Sequence, residues 1–370
     1  MKILYCTHDI TFHGGLEHIV LQKANYMIEN YNYQITILSE IQNNKEPFYN
    51  YNKKIRFKTL NAVEKGNKFY CWKEKIKCFF ILKKMIENEK YDVIISTGFF
   101  LDRLIPFLNK ITNTIREYHF SKNHYKYMNN YSKIKKNKIK FYQYINEKNY
   151  SLFKKYIVLT EEDKKNWNLS NIKVIPNSLP FYPEEFSKCE NKKIISVGRL
   201  DSQKGYDILI DVWNIISKKY PDWVLEIYGD GPEKENLQNK INKLGLEKSF
   251  LLKGAVKDIQ DKYLESSIYV MSSRYEGMPM VLLETMACGL PVISFDCPCG
   301  PKDIIKNNEN GFIVKFGNIE QMAEKIEELI IDEEKRKLFG KNARKNIQRY
   351  SQDKIMNQWK ELFEELVRNK

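Results

Sequence analysis

Short apolar runs that alternate with helical segments constrain the fold of this 370-residue chain more than any other feature. The first half contains runs typical of buried strands at residues 2–6, 34–38, 92–96, 111–116 and 156–159. A second series follows at residues 194–197, 224–228, 250–252, 268–271 and 292–294. Between the runs, apolar residues recur at helical spacing, as in Leu16, Ile19 and Val20. This alternation predicts an α/β fold with parallel sheets covered by helices.

A proline-dense segment, residues 174–183, separates the two series and is typical of a passage between domains. The length also favours two domains rather than one. We therefore predict two doubly wound domains, residues 1–178 and residues 179–351. The final helix, residues 352–370, must pack on another surface because it carries an apolar stripe, made of Ile355, Trp359, Leu362, Phe363 and Leu366.

Composition excludes several classes of protein. No apolar run approaches the ~20 residues that span a bilayer, and the chain opens directly into a strand, so we predict a cytoplasmic protein. The cysteines are Cys6, Cys71, Cys78, Cys189, Cys288, Cys297 and Cys299. Their odd number and lack of C-x-x-C spacing predict reduced thiols without disulfides or structural zinc. We interpret Cys297-Pro-Cys299 as structural rather than redox-active.

The formal net charge is +14, and much of it lies in the segment from Lys122 to Lys155, where lysines alternate with tyrosines. Three interpretations stay open for this segment: contact with anionic lipid headgroups, contact with nucleic acid, or a solvated face in a lysine-rich chain. No nucleic-acid-binding motif accompanies the charge, so we expect no nucleic acid partner. Contact with the inner face of the plasma membrane remains a hypothesis.

The stretch from Arg274 to Glu284 reads as a loop that enters a helix after a strand, with Pro279 at the first helical position. Glu276 then lies at the mouth of the helix and Glu284 about two turns inside. The mouth of a helix suits a phosphate. At ~1.5 Å per residue, the carboxylates are roughly 10–12 Å apart, which suits a hexose hydroxyl and a ribose on either side of a pyrophosphate. Two glutamates that merely flank a buried helix are the alternative.

Ligands of open parallel sheets bind outside the carboxyl ends of the strands. The loop 198–205 follows one such end and carries Arg199 and Lys204, two cations that suit a pyrophosphate. The turn Gly229-Asp-Gly-Pro232 follows another end. It is either a point where a ligand approaches the backbone or an ordinary tight turn.

In the first half, Gly14 and Gly15 precede a helix, and their amides can face a phosphate. They do not match G-x-G-x-x-G, which weighs against a nicotinamide enzyme. The histidines are His8, His13, His18, His119 and His124. His119 follows the strand 111–116 and is the best candidate for an active-site imidazole, although a structural role is as common. No cluster of carboxylates and histidines indicates a catalytic metal, so we predict none.

Together, these residues resemble the retaining glycosyltransferases of family 4, which have the GT-B fold of two Rossmann-like domains facing a central cleft. The resemblance rests on Glu276 and Glu284 with seven residues between them, Arg199 and Lys204, the Gly-Asp-Gly-Pro turn and the Gly14-Gly15 loop. It covers residues 194–314 closely and the first domain loosely. Asp303 stands where that family usually has glutamate.

The resemblance implies a role for each matching position. Arg199 and Lys204 would hold the diphosphate of a nucleotide sugar, Glu276 its sugar and Glu284 its ribose. His119 would lie near the sugar, and the final helix would return to the first, acceptor-binding domain. The remaining donor-binding positions would be Gly15, Gly229, Val256, Gly277, Met278, Met280 and Val281.

The implied reaction transfers a sugar from a UDP-hexose or UDP-N-acetylhexosamine to a glycan or lipid-linked acceptor, with retention and without a metal or other cofactor. The cations and the helix mouth would stabilise the leaving diphosphate. Two other functions stay open at this point. One is a GT-B sugar-nucleotide epimerase, and the other is a non-catalytic partner subunit that binds nucleotide sugars.

Overall fold

The computed structural model describes residues 1–12, 14–41, 46–60, 72–123 and 132–369, which form two compact units. Within this part, unit 1 holds residues up to 119, residues 132–177 and residues 353–369. Unit 2 holds residues 120–123 and 178–352. The boundaries near residues 178 and 352 each differ by one residue from those predicted.

Residues 120–123 correct the predicted division, which placed them in the first domain. They group with unit 2 because Ser121 is buried and its Oγ lies 3.2 Å from the Cys299 Sγ. The sequence gives no hint of this contact, since the partners are 178 residues apart.

Unit 1 is built on parallel strands connected by helices. Its strands are β1 (Lys2–Thr7), β2 (Gln34–Ser39), β3 (Arg56–Thr59), β4 (Val93–Ser96), β5 (Asn113–Glu117), β6 (Lys155–Val158) and β7 (Ile172–Val174). Its helices are α1 (Gly15–Tyr31), α2 (Trp72–Glu89), α3 (Lys133–Tyr150) and α4 (Glu161–Lys164), with a short 3-10 helix at Ile105–Leu108.

The strand order in unit 1 is β3-β2-β1-β4-β5-β6-β7 among the described residues. The chain moves outward from β1 to β3 and then crosses to the other side of β1 at β4. The carboxyl ends of β1 and β4 therefore form a topological switch point, where open α/β sheets bind ligands.

Unit 2 repeats this plan. Its strands are β8 (Lys193–Val197), β9 (Val224–Tyr228), β10 (Phe250–Gly254), β11 (Ile268–Met271), β12 (Val292–Phe295) and β13 (Gly311–Val314). Its helices are α5 (Tyr206–Lys219), α6 (Lys234–Lys243), α7 (Gln260–Leu264), α8 (Met280–Ala287), α9 (Pro301–Ile304), α10 (Ile319–Ile331) and α11 (Glu333–Ile347), followed by a 3-10 turn at Gln348–Tyr350. The parallel order β10-β9-β8-β11-β12-β13 puts the switch point between β8 and β11.

The last helix, α12 (Gln352–Arg368), lies in unit 1 from Asp353 onward. Its predicted apolar stripe is buried: Trp359 and Phe363 are each at most 1% exposed. Hydrogen bonds attach α12 to α1. The hydroxyls of Tyr26 and Tyr31 donate to side-chain oxygens of Asp353 and Asn357 at 2.5 and 2.9 Å. Helix α12 thus packs against α1.

Two further findings bear on the composition. No helix in the described ranges is long and apolar enough to cross a membrane. The six cysteines within those ranges are all buried thiols, and Cys71 lies outside the described residues.

Gly205 immediately precedes α5 with a φ of +66°, in the left-handed region that favours glycine. A Cβ at this position would lie 2.2 Å from the Ser272 carbonyl oxygen. Gly245 has nearly the same φ, +68°, but a Cβ there would meet no atom within 4 Å. The two glycines therefore separate the cost of backbone strain from the cost of a collision.

We expect Gly205→Ala to lower the free energy of unfolding by at least ~2 kcal/mol more than Gly245→Ala, which should cost only ~1 kcal/mol of left-handed strain. Urea unfolding of the two variants measures the difference. Equal losses in the free energy of unfolding would show that the backbone near Gly205 moves to accommodate the methyl group and would contradict the prediction.

Candidate active site

The loops after β8 and β11 lie side by side because their strands are neighbours at the switch point of unit 2. Lys204 comes from the first loop and Glu276 from the second, and their Nζ and Oε1 atoms are 2.8 Å apart. The side chains are 19% and 8% exposed. Two residues 72 positions apart in the sequence thus form an ion pair at the edge where a ligand of this sheet would bind.

Burial opposes the charge of Lys204, but the neighbouring Glu276 carboxylate outweighs it, so the pKa of Lys204 is raised. Lys204 is therefore a permanent cation at physiological pH. A partly buried cation beside a carboxylate offers one group for an anion and one for a hydroxyl on the same ligand.

Several hydrogen bonds lock the two loops together. The Ser272 hydroxyl donates to the Lys204 carbonyl at 2.8 Å, and the Arg274 amide donates to the Gln203 carbonyl at 2.7 Å. The Arg274 guanidinium grips both oxygens of Asp207 at 2.8 and 2.6 Å. This bidentate clamp fixes the Glu276 loop to the start of α5. Arg274 therefore holds the loop rather than facing a ligand.

Arg199 does not join this pair. Its side chain is 70% exposed, and its Nε lies 4.0 Å from Asp201 Oδ2, a loose surface contact. Asp201 Oδ1 accepts hydrogen bonds from the amides of Gln203 and Lys204, which shapes the loop. A role for Arg199 on a diphosphate stays a prediction.

Glu284 is the fifth residue of α8, less than the two turns expected, because the helix begins at Met280, with Pro279 preceding it. The Tyr263 hydroxyl donates to its Oε2 at 2.9 Å. Burial raises the pKa of Glu284, although Tyr263 and Lys204 partly offset this. Tyr263 was missed by the sequence analysis, because a single tyrosine on the short helix α7 carries no pattern.

The Gly-Asp-Gly-Pro turn has a structural explanation within unit 2. A Cβ at Gly229 would lie 2.0 Å from the Gly198 carbonyl oxygen, and one at Gly231 would lie 2.4 Å from that of Leu200. The turn is thus pressed against the backbone of the loop that carries Lys204. Its glycines are required by this approach, with or without a ligand.

The other predicted positions of unit 2 surround the same edge. Met278 is buried, Gly277, Met280 and Val281 are half-buried, and Val256 is exposed after β10. The segment 297–299 contacts the loop that carries Glu276, because the Pro298 carbonyl accepts a hydrogen bond from the Glu276 amide at 3.1 Å. Gly300 packs against Pro279, where a Cβ would come within 2.2 Å of Cδ.

In unit 1, Gly15 begins α1, and a Cβ there would meet nothing within 4 Å. The N-cap residue of this helix is Gly14, which makes no side-chain capping hydrogen bond. Burial raises the pKa of Glu17, although hydrogen bonds from its own amide and that of Gly14 oppose the shift. The Glu17 carboxylate therefore lies at the start of α1 next to Gly14, and a phosphate-facing role for Gly15 stays a prediction. His13 and His124 lie outside the described residues.

His119 belongs to a buried polar cluster of unit 1. Its side chain is 7% exposed, and its Nε2 lies 3.2 Å from Glu117 Oε1. The same oxygen pairs with Lys23 of α1, whose Nζ sits 4.6 Å from the centre of the Trp359 ring. Burial lowers the pKa of His119, and Glu117 offsets only part of this shift. A neutral imidazole beside a carboxylate is the result.

Glu117 is the centre of this cluster. Burial alone would raise the pKa of its carboxyl, but Lys23 and His119 outweigh burial and lower the pKa to about 2. Neither Glu117 nor Lys23 was predicted as a site residue from the sequence. The spacing of apolar residues along α1 gives no sign that its single lysine, Lys23, is buried.

No group of three or more histidine, cysteine, aspartate or glutamate side chains suited to a metal ion occurs in the part of the chain that the structure covers.

Comparisons with known proteins show the family of this chain. Residues 182–346 match the family described as glycosyl transferases group 1. A glycosyltransferase of Haemophilus influenzae is 31% identical over 97% of this chain and 99% of its own length. The chain is a group 1 glycosyltransferase.

Two further comparisons show what this glycosyltransferase is similar to. The poly(ribitol-phosphate) alpha-N-acetylglucosaminyltransferase of Staphylococcus aureus is 30% identical over 77% of this chain and 58% of its own length. The crystal structure of a TarM mutant from S. aureus, in complex with fondaparinux, alpha-GlcNAc-glycerol and UDP, superposes with a TM-score of 0.77 at 19% identity. It covers 98% of this chain and 99% of that one. The fold of the glycosyltransferase is GT-B, as predicted.

The Glu117 cluster makes the stability of the glycosyltransferase sensitive to acid. Because the folded pKa, about 2, lies below the ordinary 4.5, Glu117 stabilises the fold fully above pH 4.5. That contribution is lost as the pH falls from 4.5 toward 2. We expect Glu117→Gln to be less stable at pH 7, by ~3 kcal/mol or more, since Lys23 is left as an unpaired buried charge.

The same variant should lose less further stability in acid than the wild type does, by ~3 kcal/mol between pH 5 and pH 2. Urea unfolding at several pH values measures both effects. Glu87→Gln, at an exposed carboxylate of α2, is the control and should follow the wild type. Parallel curves for wild type and Glu117→Gln would contradict the assignment.

Proposed function

We propose that this glycosyltransferase is a retaining member of family 4 that transfers a hexose or N-acetylhexosamine from a UDP-sugar. The acceptor is a polyol-phosphate polymer or a lipid-linked glycan in cell-surface polysaccharide synthesis. The observation that carries the proposal is the Lys204–Glu276 pair, 2.8 Å apart at the switch point of unit 2. It offers a cation for a diphosphate beside a carboxylate for a sugar hydroxyl.

The chemistry follows from where charge develops. When the bond between the anomeric carbon and the diphosphate breaks, negative charge grows on the diphosphate and positive charge on the sugar. Lys204, Arg199 and the start of α8 stabilise the leaving group, so no metal ion is needed in the proposal. Glu276 accepts a hydrogen bond from the sugar, and Glu284, steadied by Tyr263, holds the ribose. The departing phosphate takes the proton of the attacking hydroxyl.

The relatives support the choice of substrates. The S. aureus relative is named for transfer of alpha-N-acetylglucosamine to poly(ribitol phosphate). The TarM complex contains UDP together with alpha-GlcNAc-glycerol. An alpha-linked product from an alpha-linked UDP-sugar corresponds to retention. The roles of His119 and Gly15 in the proposal are those that the resemblance to family 4 implies.

The first experiment measures transfer from radiolabelled UDP-glucose, UDP-N-acetylglucosamine and UDP-N-acetylgalactosamine. The acceptors are poly(ribitol phosphate), poly(glycerol phosphate) and an undecaprenyl-diphosphate N-acetylhexosamine. We expect transfer by the wild type and a loss of at least ~100-fold in kcat for Lys204→Ala and for Glu276→Ala. Lys234→Ala and Glu309→Ala, at exposed residues of unit 2, serve as matched controls with full activity.

Full activity of the Lys204 and Glu276 variants would overturn the proposed site, and absence of transfer from every donor would overturn the proposed reaction. NMR of the product reads the anomeric configuration, and an inverted linkage contradicts retention. Activity in EDTA tests metal independence. Isomerised UDP-sugar in the absence of acceptor would instead reveal an epimerase.

The helix α3 supports the further proposal that the enzyme works at the cytoplasmic face of the membrane. None of its described side chains is buried, and its large apolar side chains point outward: Ile134, Phe141, Tyr142, Tyr144 and Ile145. Polar bonds attach it to unit 1, with Asn146 accepting from Arg103 and Asn149 donating to the Arg103 carbonyl. An exposed apolar row bordered by lysines suits an interface with anionic lipid. Residues 124–131 of the predicted basic segment lie outside the described residues.

We expect the protein to bind vesicles that contain phosphatidylglycerol and not pure phosphatidylcholine vesicles. Combined reversal of Lys133, Lys136 and Lys140 to glutamate should weaken binding at least ~100-fold, at ~1 kcal/mol per lysine. Phe141→Ser should weaken it as well, whereas Leu338→Ser, at an exposed leucine of unit 2, should not. Sedimentation with vesicles measures this. Unchanged binding after charge reversal contradicts the membrane proposal.

A further inference from the structure

A histidine and a carboxylate that the sequence analysis left unassigned form a close pair in unit 1. His8 directly follows β1, and Glu40 directly follows β2. The His8 Nδ1 lies 2.7 Å from Glu40 Oε2. The other carboxylate oxygen, Oε1, accepts from the Phe100 amide at 2.6 Å, beyond the end of β4. One carboxylate thus ties together the ends of three neighbouring strands.

The pair sits at the carboxyl edge of the sheet, where β1 and β4 form the switch point of unit 1. In unit 2, the corresponding edge carries Lys204 and Glu276. The location is therefore the one at which the topology of unit 1 favours a ligand.

Burial divides the pair into a hidden and an open member. Glu40 is 3% exposed, whereas the His8 side chain is 60% exposed. A purely structural pair has no need of an open ring, because backbone bonds already join these loops: the Glu40 amide donates to the His8 carbonyl at 3.0 Å. A buried carboxylate that orients an exposed imidazole is the arrangement used to present a ring nitrogen to a ligand.

Hydrogen bonding assigns the tautomer. Oε1 of Glu40 is an acceptor for the Phe100 amide, and the carboxylate is best satisfied when His8 Nδ1–H donates to Oε2. The exposed Nε2 then carries a lone pair and accepts a hydrogen bond. Ligand atoms that donate to such a nitrogen are hydroxyl or amide groups.

The charges around the pair favour a neutral partner. The Glu17 carboxylate lies near His8, and the Asp102 carboxylate lies near Glu40. These carboxylates would repel a phosphate or carboxylate placed here, whereas they would not repel a neutral hydroxyl. The chemistry at Nε2 is therefore that of a sugar or polyol hydroxyl.

We propose that the His8–Glu40 pair is an acceptor site, in which His8 Nε2 accepts a hydrogen bond from a hydroxyl of the acceptor glycan or polyol and Glu40 positions the ring. His8 is the binding residue and Glu40 the positioning residue. The inference rests on the proposed glycosyltransferase reaction. It adds residues that bind the acceptor, whereas the candidate site in unit 2 binds the donor.

Four variants test this inference with the acceptor from the panel above that the wild type uses. His8→Asn keeps a donor toward Glu40 but loses Nε2, so the KM for the acceptor should rise about tenfold. His8→Gln can place an amide oxygen near the position of Nε2 and should restore part of the loss. The KM for the UDP-sugar should stay within about twofold in both. His18→Asn, at a histidine stacked on Tyr49 in the same unit, is the control and should leave both KM values unchanged.

The fourth variant, Glu40→Gln, reads the positioning role directly. Its amide would donate to Nδ1 and move the ring proton to Nε2, which can then no longer accept from a hydroxyl. Long-range 1H–15N NMR of the histidine rings should show the Nδ1–H form in the wild type and the Nε2–H form in Glu40→Gln. The KM for the acceptor should rise in this variant too, with the thermal midpoint measured alongside.

The outcomes are separable. Normal acceptor KM in His8→Asn, or an Nε2–H ring in the wild type, overturns the His8 inference and leaves the proposed function intact. A rise of the donor KM equal to that of the acceptor also overturns it, because it indicates a general structural effect. A wild type that transfers to no acceptor overturns the proposed function, and the inference falls with it.

Discussion

The site in unit 2 depends on one ion pair, Lys204 with Glu276, which exists only because β8 and β11 are neighbours in the sheet. A partly buried charge is costly unless it is matched, so the loops that carry the pair must be held in register. The Arg274–Asp207 clamp, the Ser272 hydroxyl and the side-chain-free Gly205 provide that register. The geometry of this candidate site is thus a consequence of how the two loops pack.

The two units have the same strand topology around their switch points. In each, the chain leaves a central strand in one direction, returns, and continues on the other side, which opens the sheet at its carboxyl edge. Unit 2 places a lysine and a glutamate at that edge, and unit 1 a histidine and a glutamate, His8 and Glu40. The first pair suits an anion beside a hydroxyl, and the second suits a neutral hydroxyl. In the proposed reaction, the first pair binds the donor and the second binds the acceptor.

Charge is also used inside unit 1 as a structural device. Lys23, Glu117 and His119 form a buried cluster that lies against Trp359 of α12. The end of the chain therefore completes the surroundings of a candidate active-site histidine. Such a cluster makes the fold of unit 1 sensitive to the loss of any member, because each charge has its partner in the others.

The sequence alone predicted the alternation of strands and helices, the apolar stripe of α12, and the loops that bear Lys204 and Glu276 together with the helix that bears Glu284. These features are local, since periodicity, glycine and proline report on the backbone near them. The edge strands β3, β7 and β13 were not predicted. Strands β3 and β7 show no buried run, whereas β13 is a short apolar run that directly follows a polar loop. Only the tertiary structure decided that Arg199 points into solvent, that Tyr263 holds Glu284, that residues 120–123 belong to unit 2, and that His8 meets Glu40. Each of these joins or separates residues distant in the chain, and strand order, which no local pattern encodes, sets such distances.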